Sequence, residues 1–333
     1  MEKSRDYLFD NYKAFLIFLV VAGHFIGPSA ASNEFLRILK WFIVSFHMPA
    51  FIFISGYFSK KELPLLNIVQ RLAVPYFICE IIYYFWYTFV THKATGLHLL
   101  KPKFTLWYLL ALFLWRIVTP YIKKIPYHGI LACLAGILIG FSQMEDNFLT
   151  IPRALVYYPF YLAGTSFTKD QLSTLRSKSK NSKWLSLLII TAIAIFLCYV
   201  GLTRMQPMQV FYGRYNYLSM KQGILEGILW RILLYAIGFL LTFAFMFLVP
   251  DRKLCISYIG TRTMAIYLFH GLAYTYLEQC TNLLSKRNHP LETILLLGFC
   301  VLLTLVFSLK PFTTFTNTFS KFPWFLHIKK VAS

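Results

Sequence analysis

Asp10, Lys13 and His24 lie in the first apolar run of the chain, DNYKAFLIFLVVAGHF, where their side chains are out of place. Near the centre of a bilayer helix an aspartate or a lysine costs about 2.5–3.5 kcal/mol. A lysine close to a helix end escapes by extending its stem to the headgroups. A histidine has no such reach, so His24 needs a polar cavity, a partner or a chemical role. Spacing sharpens the point. His24 follows Lys13 by eleven residues, which at about 100° per residue returns it to nearly the same face, about 16 Å along the axis. Asp10 falls within about 40° of that face.

Other ionisable residues sit in later apolar runs: His47, Glu80, Arg116, Glu226, Arg231, Arg262 and His270. Such groups usually face a bundle interior or a water-filled cavity and mark a site. The competing explanation is a helix-end residue or a buried structural pair. It is the stronger one for Glu226 and Arg231, is balanced for Arg116, and is preferred for His47 taken alone. It is weakest for His24 and His270, which sit deeper. With the topology derived below, Lys13, Lys60, Lys61, Arg71, Arg116 and Arg262 fall toward one end of the bundle, and the histidines lie further in. The forked guanidinium of arginine suits phosphate, and histidine is the usual acid–base near neutral pH. A phosphate-bearing molecule at the basic mouth and proton chemistry deeper in are the expectation.

The elements that must hold these groups are helices in a membrane. Of 333 residues 58% are hydrophobic and only 14% charged, whereas soluble domains carry about 25% charged residues. Runs long enough to span a bilayer fall at about 12–28, 36–58, 72–90, 104–122, 127–142, 152–168, 184–203, 224–249, 256–280 and 291–309. The expectation is an all-α, polytopic bundle of about ten transmembrane helices, a single domain over 1–333 with short tails at about 1–11 and 310–333. Lys and Arg are richer in the loops on the side of the N-terminus, above all TKDQLSTLRSKSKNSK at 168–183. The positive-inside rule then puts both termini in the cytoplasm. The first span is longer than a signal-peptide core and further spans follow, so it is expected to stay uncleaved despite SAAS at 29–32.

A net charge of +20 raises nucleic-acid binding, but the charge is spread over short loops and no recognition motif appears. The six cysteines are scattered without a CxxC pair, which suggests free thiols, with no disulfide framework and no metal site.

Five segments occur in order: DNYKAFLIFLVVAGH, FHMPAFIFISGYFSKK (46–61), RLAVPY (71–76), LWYLLALFLWR (106–116) and IGTRTMAIYLFH (259–270). Together they resemble the acyltransferase-3 superfamily of membrane acyltransferases, in its fucose 4-O-acetylase-like or capsular polysaccharide O-acetyltransferase branch. The resemblance implies about ten membrane helices and transfer of an acetyl group from cytosolic acetyl-CoA to hydroxyls of an extracytoplasmic glycan. A bacterial capsule or its lipid-linked precursor is the expected acceptor, and the cytoplasmic membrane the expected location. By position, the family's essential first-helix histidine falls on His24, its preceding basic residue on Lys13 and its Leu-x-x-Pro-Tyr arginine on Arg71. Its SGY element falls on Ser55, Gly56 and Tyr57. Many members carry a second arginine where this chain has Ile68; Lys60 and Lys61 are available to compensate. No SGNH-type esterase domain follows, so the membrane part is expected to act alone or with a partner.

These expectations assign His24 as the catalytic base or acyl acceptor, and Lys13, Arg71 and Arg262 as the holders of the CoA phosphates. His47, Ser55, Tyr57, Trp107, Tyr108 and His270 are expected to line the channel. Trp107 and Tyr108 suit stacking on a sugar or adenine, or interfacial anchoring. Asp10 either orients Lys13 or complements the helix N-terminus, with the second preferred, and Arg116 has a possible orienting role. Acetyl-CoA is expected as a co-substrate, with no permanently bound cofactor. The rival expectation is a transporter passing a glycan or small anion through the same interior. It calls for inverted repeats and broken helix pairs, and neither is evident in the sequence.

Overall fold

The computed structural model describes residues 5–93, 96–144, 148–178, 181–285 and 287–321. Lys3, Lys180, Lys286, Lys329 and Lys330, which belong to the lysine and arginine distribution used for the topology, and the outer parts of both expected tails lie outside the described residues. Every long apolar run is helical. The helices are α1 (Tyr7–Phe25), α2 (Glu34–Tyr57), α3 (Leu65–Ile68), α4 (Val74–Thr91), α5 (Trp107–Ile122), α6 (His128–Leu138) and α7 (Ile151–Ser166). They continue with α8 (Lys169–Lys178), α9 (Ser182–Thr203), α10 (Ile224–Leu248), α11 (Ser257–Gly260), α12 (Thr263–Cys280), α13 (Pro290–Phe307) and α14 (Lys310–Lys321). A π-helical turn, Val69–Ala73, joins α3 to α4. Among the described residues six helical stretches are long and apolar enough to cross a membrane: α1, α2, the α3–α4 stretch, α9, α10 and α13. Shorter apolar helices at Trp107–Ile122 and His128–Phe141 accompany them.

The helix α1 is the axis of the bundle. Its neighbours are α2, α11, α12 and α13, and most of its side chains are buried. Its start is fixed by Asn11, whose amide donates to the Pro250 and Arg252 carbonyls at 2.9 and 2.8 Å. Ser257 in turn donates to the Asn11 side-chain oxygen at 2.6 Å. The turn at 250–257 is thereby stapled to the first helical turn. A side-chain cap opens α2, where Asn33 accepts from the Leu36 amide. Pro49 sits inside α2, where it removes one backbone donor.

Two glycines set the approach of α2 to α7. A Cβ on Gly56 would lie 2.1 Å from the Tyr161 carbonyl oxygen, and one on Gly164 would lie 1.9 Å from that of Phe53. Each glycine therefore accepts the other helix's backbone. This close approach is what small residues provide between membrane helices.

Four boundaries differ from the sequence-based expectation. Residues from Tyr7 onward, assigned to a tail, already belong to α1, and residues 310–321 form α14. The polar 168–183 loop is largely helical, as α8. The span expected from residue 104 starts inside the protein, at Trp107. The segment before it folds inward, held where the Lys103 amide donates to the buried Glu80 carboxylate at 2.6 Å and Tyr76 donates to the Leu99 carbonyl at 2.8 Å. Phe104 takes a left-handed conformation, φ 47°, uncommon for a bulky residue. Leu106 is fully buried.

Substitution tests the glycine contact. Gly164→Ala forces α2 from α7 and is expected to cost about 1–3 kcal/mol, the usual penalty for overpacking. Gly298→Ala, where a Cβ meets nothing within 4 Å, should be neutral or slightly stabilising, since alanine is the better helix former. Thermal unfolding in detergent checks the pair; equal behaviour of the two variants would contradict the packing account.

Candidate functional site

Two cavities lie on the Lys13–His24 face of α1, one beyond the other. The first, of about 300 Å³, is reached by His24, His47, Lys40, Trp107, Arg153 and Arg214. The second, of about 280 Å³, takes in Lys13, Ser55, Arg71, Tyr108, Arg116 and Thr263. Tyr267 borders both. The helical periodicity that puts Lys13 and His24 on one face thus delivers them to two separate chambers.

The wall between the chambers is made of hydroxyls. Tyr108 and Ser55 are hydrogen-bonded through their hydroxyl oxygens, Tyr267 donates to the Thr105 carbonyl, and the two tyrosine rings meet edge to face at 5.7 Å. Thr105 and Trp107 border the His24 chamber and Tyr108 the Lys13 chamber, because the inward-folded segment ends and α5 begins at this level.

Rings rather than hydrogen bonds position His24. Phe104 lies 4.6 Å and His270 5.4 Å from it, centroid to centroid, and Tyr274 stacks on Phe104 at 5.0 Å. Among the described residues no side chain or carbonyl is hydrogen-bonded to the His24 ring nitrogens, so they are available to a molecule in the cavity. The other two histidines are oriented by their own helices. His47 Nδ1 donates to the Ile43 carbonyl at 2.7 Å and His270 Nδ1 to that of Ile266 at 3.0 Å. A neutral ring used in this way keeps Nε2 as its acceptor. In His270 that Nε2 is buried without a partner, behind His24.

In the second chamber Lys13 is held by Asp10 at 3.1 Å, and Asp10 also accepts from Arg5 at 2.9 Å. Asp10 is therefore a partner of Lys13 and also stands in the first turn of α1, where its charge complements the helix N-terminus. Arg71 comes from the π-helical turn between α3 and α4. Arg116 donates to the Ser59 and Lys61 carbonyls at 3.2 and 2.9 Å and so ties the loop after α2 to α5. Nearby, Lys60 donates to the Phe167 carbonyl and lies 4.2 Å over the Tyr57 ring. Burial, with Lys123 close by, pulls the Lys60 ammonium below the ordinary lysine range.

Two expected site residues stand elsewhere. Arg262 turns its guanidinium to the Ser308 carbonyl at 2.6 Å and lies 5.2 Å over Tyr258, so it borders neither chamber. Tyr57 packs on Phe9 at 4.2 Å and is likewise away from both. His270 backs His24 without lining the cavity. Conversely, sequence reasoning passed over Tyr267, Phe104 and Tyr274, and it counted Lys40, Arg153 and Arg214 as loop charges. Arg231, expected to snorkel or pair at a helix end, is 2% exposed, with its guanidinium 5.9 Å over Tyr217.

Comparison with known proteins bears on what such an arrangement does. The model of a family described as an acyltransferase domain matches residues 6–309. The chain is also similar to the nodulation protein NolL of Mesorhizobium japonicum (strain LMG 29417 / CECT 9101 / MAFF 303099), 26% identical over 219 residues. That alignment covers 60% of this chain and 57% of the relative. The chain thus spans little more than half the length of that curated relative. No solved structure matches significantly.

Proposed function

The chain belongs to the acyltransferase domain family, and from that premise we propose that it is a membrane O-acetyltransferase. Acetyl-CoA is the donor, and the acceptor is a hydroxyl of a cell-surface polysaccharide, such as a capsule, or of its lipid-linked precursor. The observation that carries this reading is the pair of chambers on one face of α1, one with Lys13 and Arg71, the other with His24. They divide the task as a phosphate-bearing thioester donor and a hydroxyl acceptor would require.

In this reading Lys13 and Arg71 hold the phosphates of the donor's 3′-phospho-ADP. Asp10 keeps the Lys13 ammonium in place, and the bidentate geometry of Arg71 suits a phosphate. The pantetheine arm runs toward the other chamber past Ser55, Tyr108 and Tyr267, whose hydroxyls must exchange partners to let it through. At His24 the acceptor hydroxyl gives its proton to the ring nitrogen while its oxygen attacks the thioester carbon. The carbon–sulfur bond then breaks, and the CoA sulfur leaves with the proton that the imidazolium returns. His47 gives the cavity a further polar side chain, and the His270 ring backs that of His24.

Acetyl-CoA is a cytosolic molecule, so the Lys13 chamber faces the cytoplasm in this reading. Both termini then lie inside, in a plasma membrane, as the lysine and arginine distribution favours.

Loss of the acid–base group provides the first test. His24→Ala should fold and insert but lower acetyl transfer by about 10²–10⁴-fold, read as incorporation of labelled acetyl into envelope glycan. Transfer at the wild-type rate would remove His24 from the reaction.

Native cysteines test the orientation. Cys255, beside the start of α11, and Cys280, at the far end of α12, are both exposed. An impermeant maleimide applied to intact cells should label Cys280 and spare Cys255 until the membrane is opened, with Cys255→Ser and Cys280→Ser assigning the signal. The reverse pattern would invert the topology.

A further inference from the structure

The His24 chamber holds more positive charge than a sugar hydroxyl needs. Lys40, Arg153 and Arg214 border it together with His24 and His47. Among the described residues no aspartate or glutamate lines it. Glu278 accepts from the Tyr274 hydroxyl at 2.5 Å and is the acid that acts electrostatically on Lys40.

Each cation is brought in by a specific feature. Lys40 comes from α2 and reaches over the end of α1, where Gly27 makes room: a Cβ there would lie 2.8 Å from the Lys40 nitrogen and 2.9 Å from the His24 carbonyl oxygen. The Arg153 guanidinium lies 4.8 Å over the Trp107 ring, and that of Arg214 lies 4.9 Å over Tyr215. Both guanidinium groups bring their charge to the chamber, and their forked geometry suits an oxyanion. A chamber lined by one sign of charge between low-dielectric walls concentrates ligands of the other sign.

The donor's phosphates do not account for this charge. They are assigned to Lys13 and Arg71, about 16 Å away along α1 by helical rise. We propose that the His24 chamber selects acceptors bearing an anionic group, a carboxylate or a phosphate, close to the hydroxyl that is acetylated. This rests on the acetyltransferase reading and narrows its acceptor. The anion would come either from an acidic sugar or from the diphosphate of a lipid-linked sugar; both offer the same oxyanion to Lys40, Arg153 and Arg214.

The test uses the purified full-length protein in detergent, labelled acetyl-CoA, and envelope glycans extracted from cells lacking the gene and fractionated by anion exchange. Label should enter the retained, anionic fraction. Esterifying its carboxylates, or removing its diphosphate by mild acid, should lower incorporation about tenfold in whichever treatment hits the recognised group, the scale of one lost charge-assisted hydrogen bond. Lys40→Gln and Arg214→Gln should each raise the acceptor KM about tenfold, with transfer recovering at saturating acceptor and acetyl-CoA affinity unchanged. A merely structural role would lower transfer at every acceptor concentration. Label in the neutral fraction, or indifference to both treatments, would overturn the anionic acceptor and leave acetyl transfer standing. Loss of acetyl-CoA affinity in Lys40→Gln would assign the chamber to the donor instead. No label in any fraction would overturn the acetyltransferase reading itself.

Discussion

A bilayer offers no partner to a polar side chain, so each such group must be housed by protein. In this chain the requirement falls hardest on α1, which carries Asp10, Asn11, Lys13 and His24 on a helix otherwise apolar. The fold answers by enclosing α1 within α2, α11, α12 and α13. Asn11 is satisfied by the turn before α11, Asp10 and Lys13 by one another. His24 alone is met by rings and open space. The hydrogen bonds at the first turn fix where α1 sits in the bundle, while helical rise alone sets how far apart Lys13 and His24 work.

From this follows a division of the interior. The segment before α5 folds inward and ends at Thr105, so that α5 starts beside the His24 chamber and runs away from it toward Arg116. The tyrosine wall sits where these pieces meet. Its members are joined by weak, exchangeable hydroxyl contacts, each net about 0.5–1.5 kcal/mol.

The sequence made the helical class legible because hydrophobic runs of bilayer length have few alternative structures. It also made legible the shared face of Lys13 and His24, since that depends only on helical periodicity. What it hid were relations between distant segments. An apolar run does not mark where its helix begins, so the start of α5 at Trp107 was invisible: the stop depends on Glu80 and Tyr76, on another helix. Arg262 read as a donor contact because its position is right, but direction is set by the Ser308 carbonyl, 46 residues away in sequence. Tyr57 failed likewise, captured by Phe9 and Lys60. Lys40, Arg153 and Arg214 read as loop charges because only the packed fold turns them toward one cavity.

The central claim is that one helix face serves two tasks, holding the donor at Lys13 and Arg71 and performing the chemistry at His24. Calorimetric titration of acetyl-CoA into detergent-solubilised Arg71→Met and His24→Ala tests it most directly. The account predicts about 10- to 150-fold weaker binding in Arg71→Met, from one lost charge-assisted hydrogen bond of about 1.5–3 kcal/mol, and nearly unchanged binding in His24→Ala. Wild-type affinity in a folded Arg71→Met would contradict it.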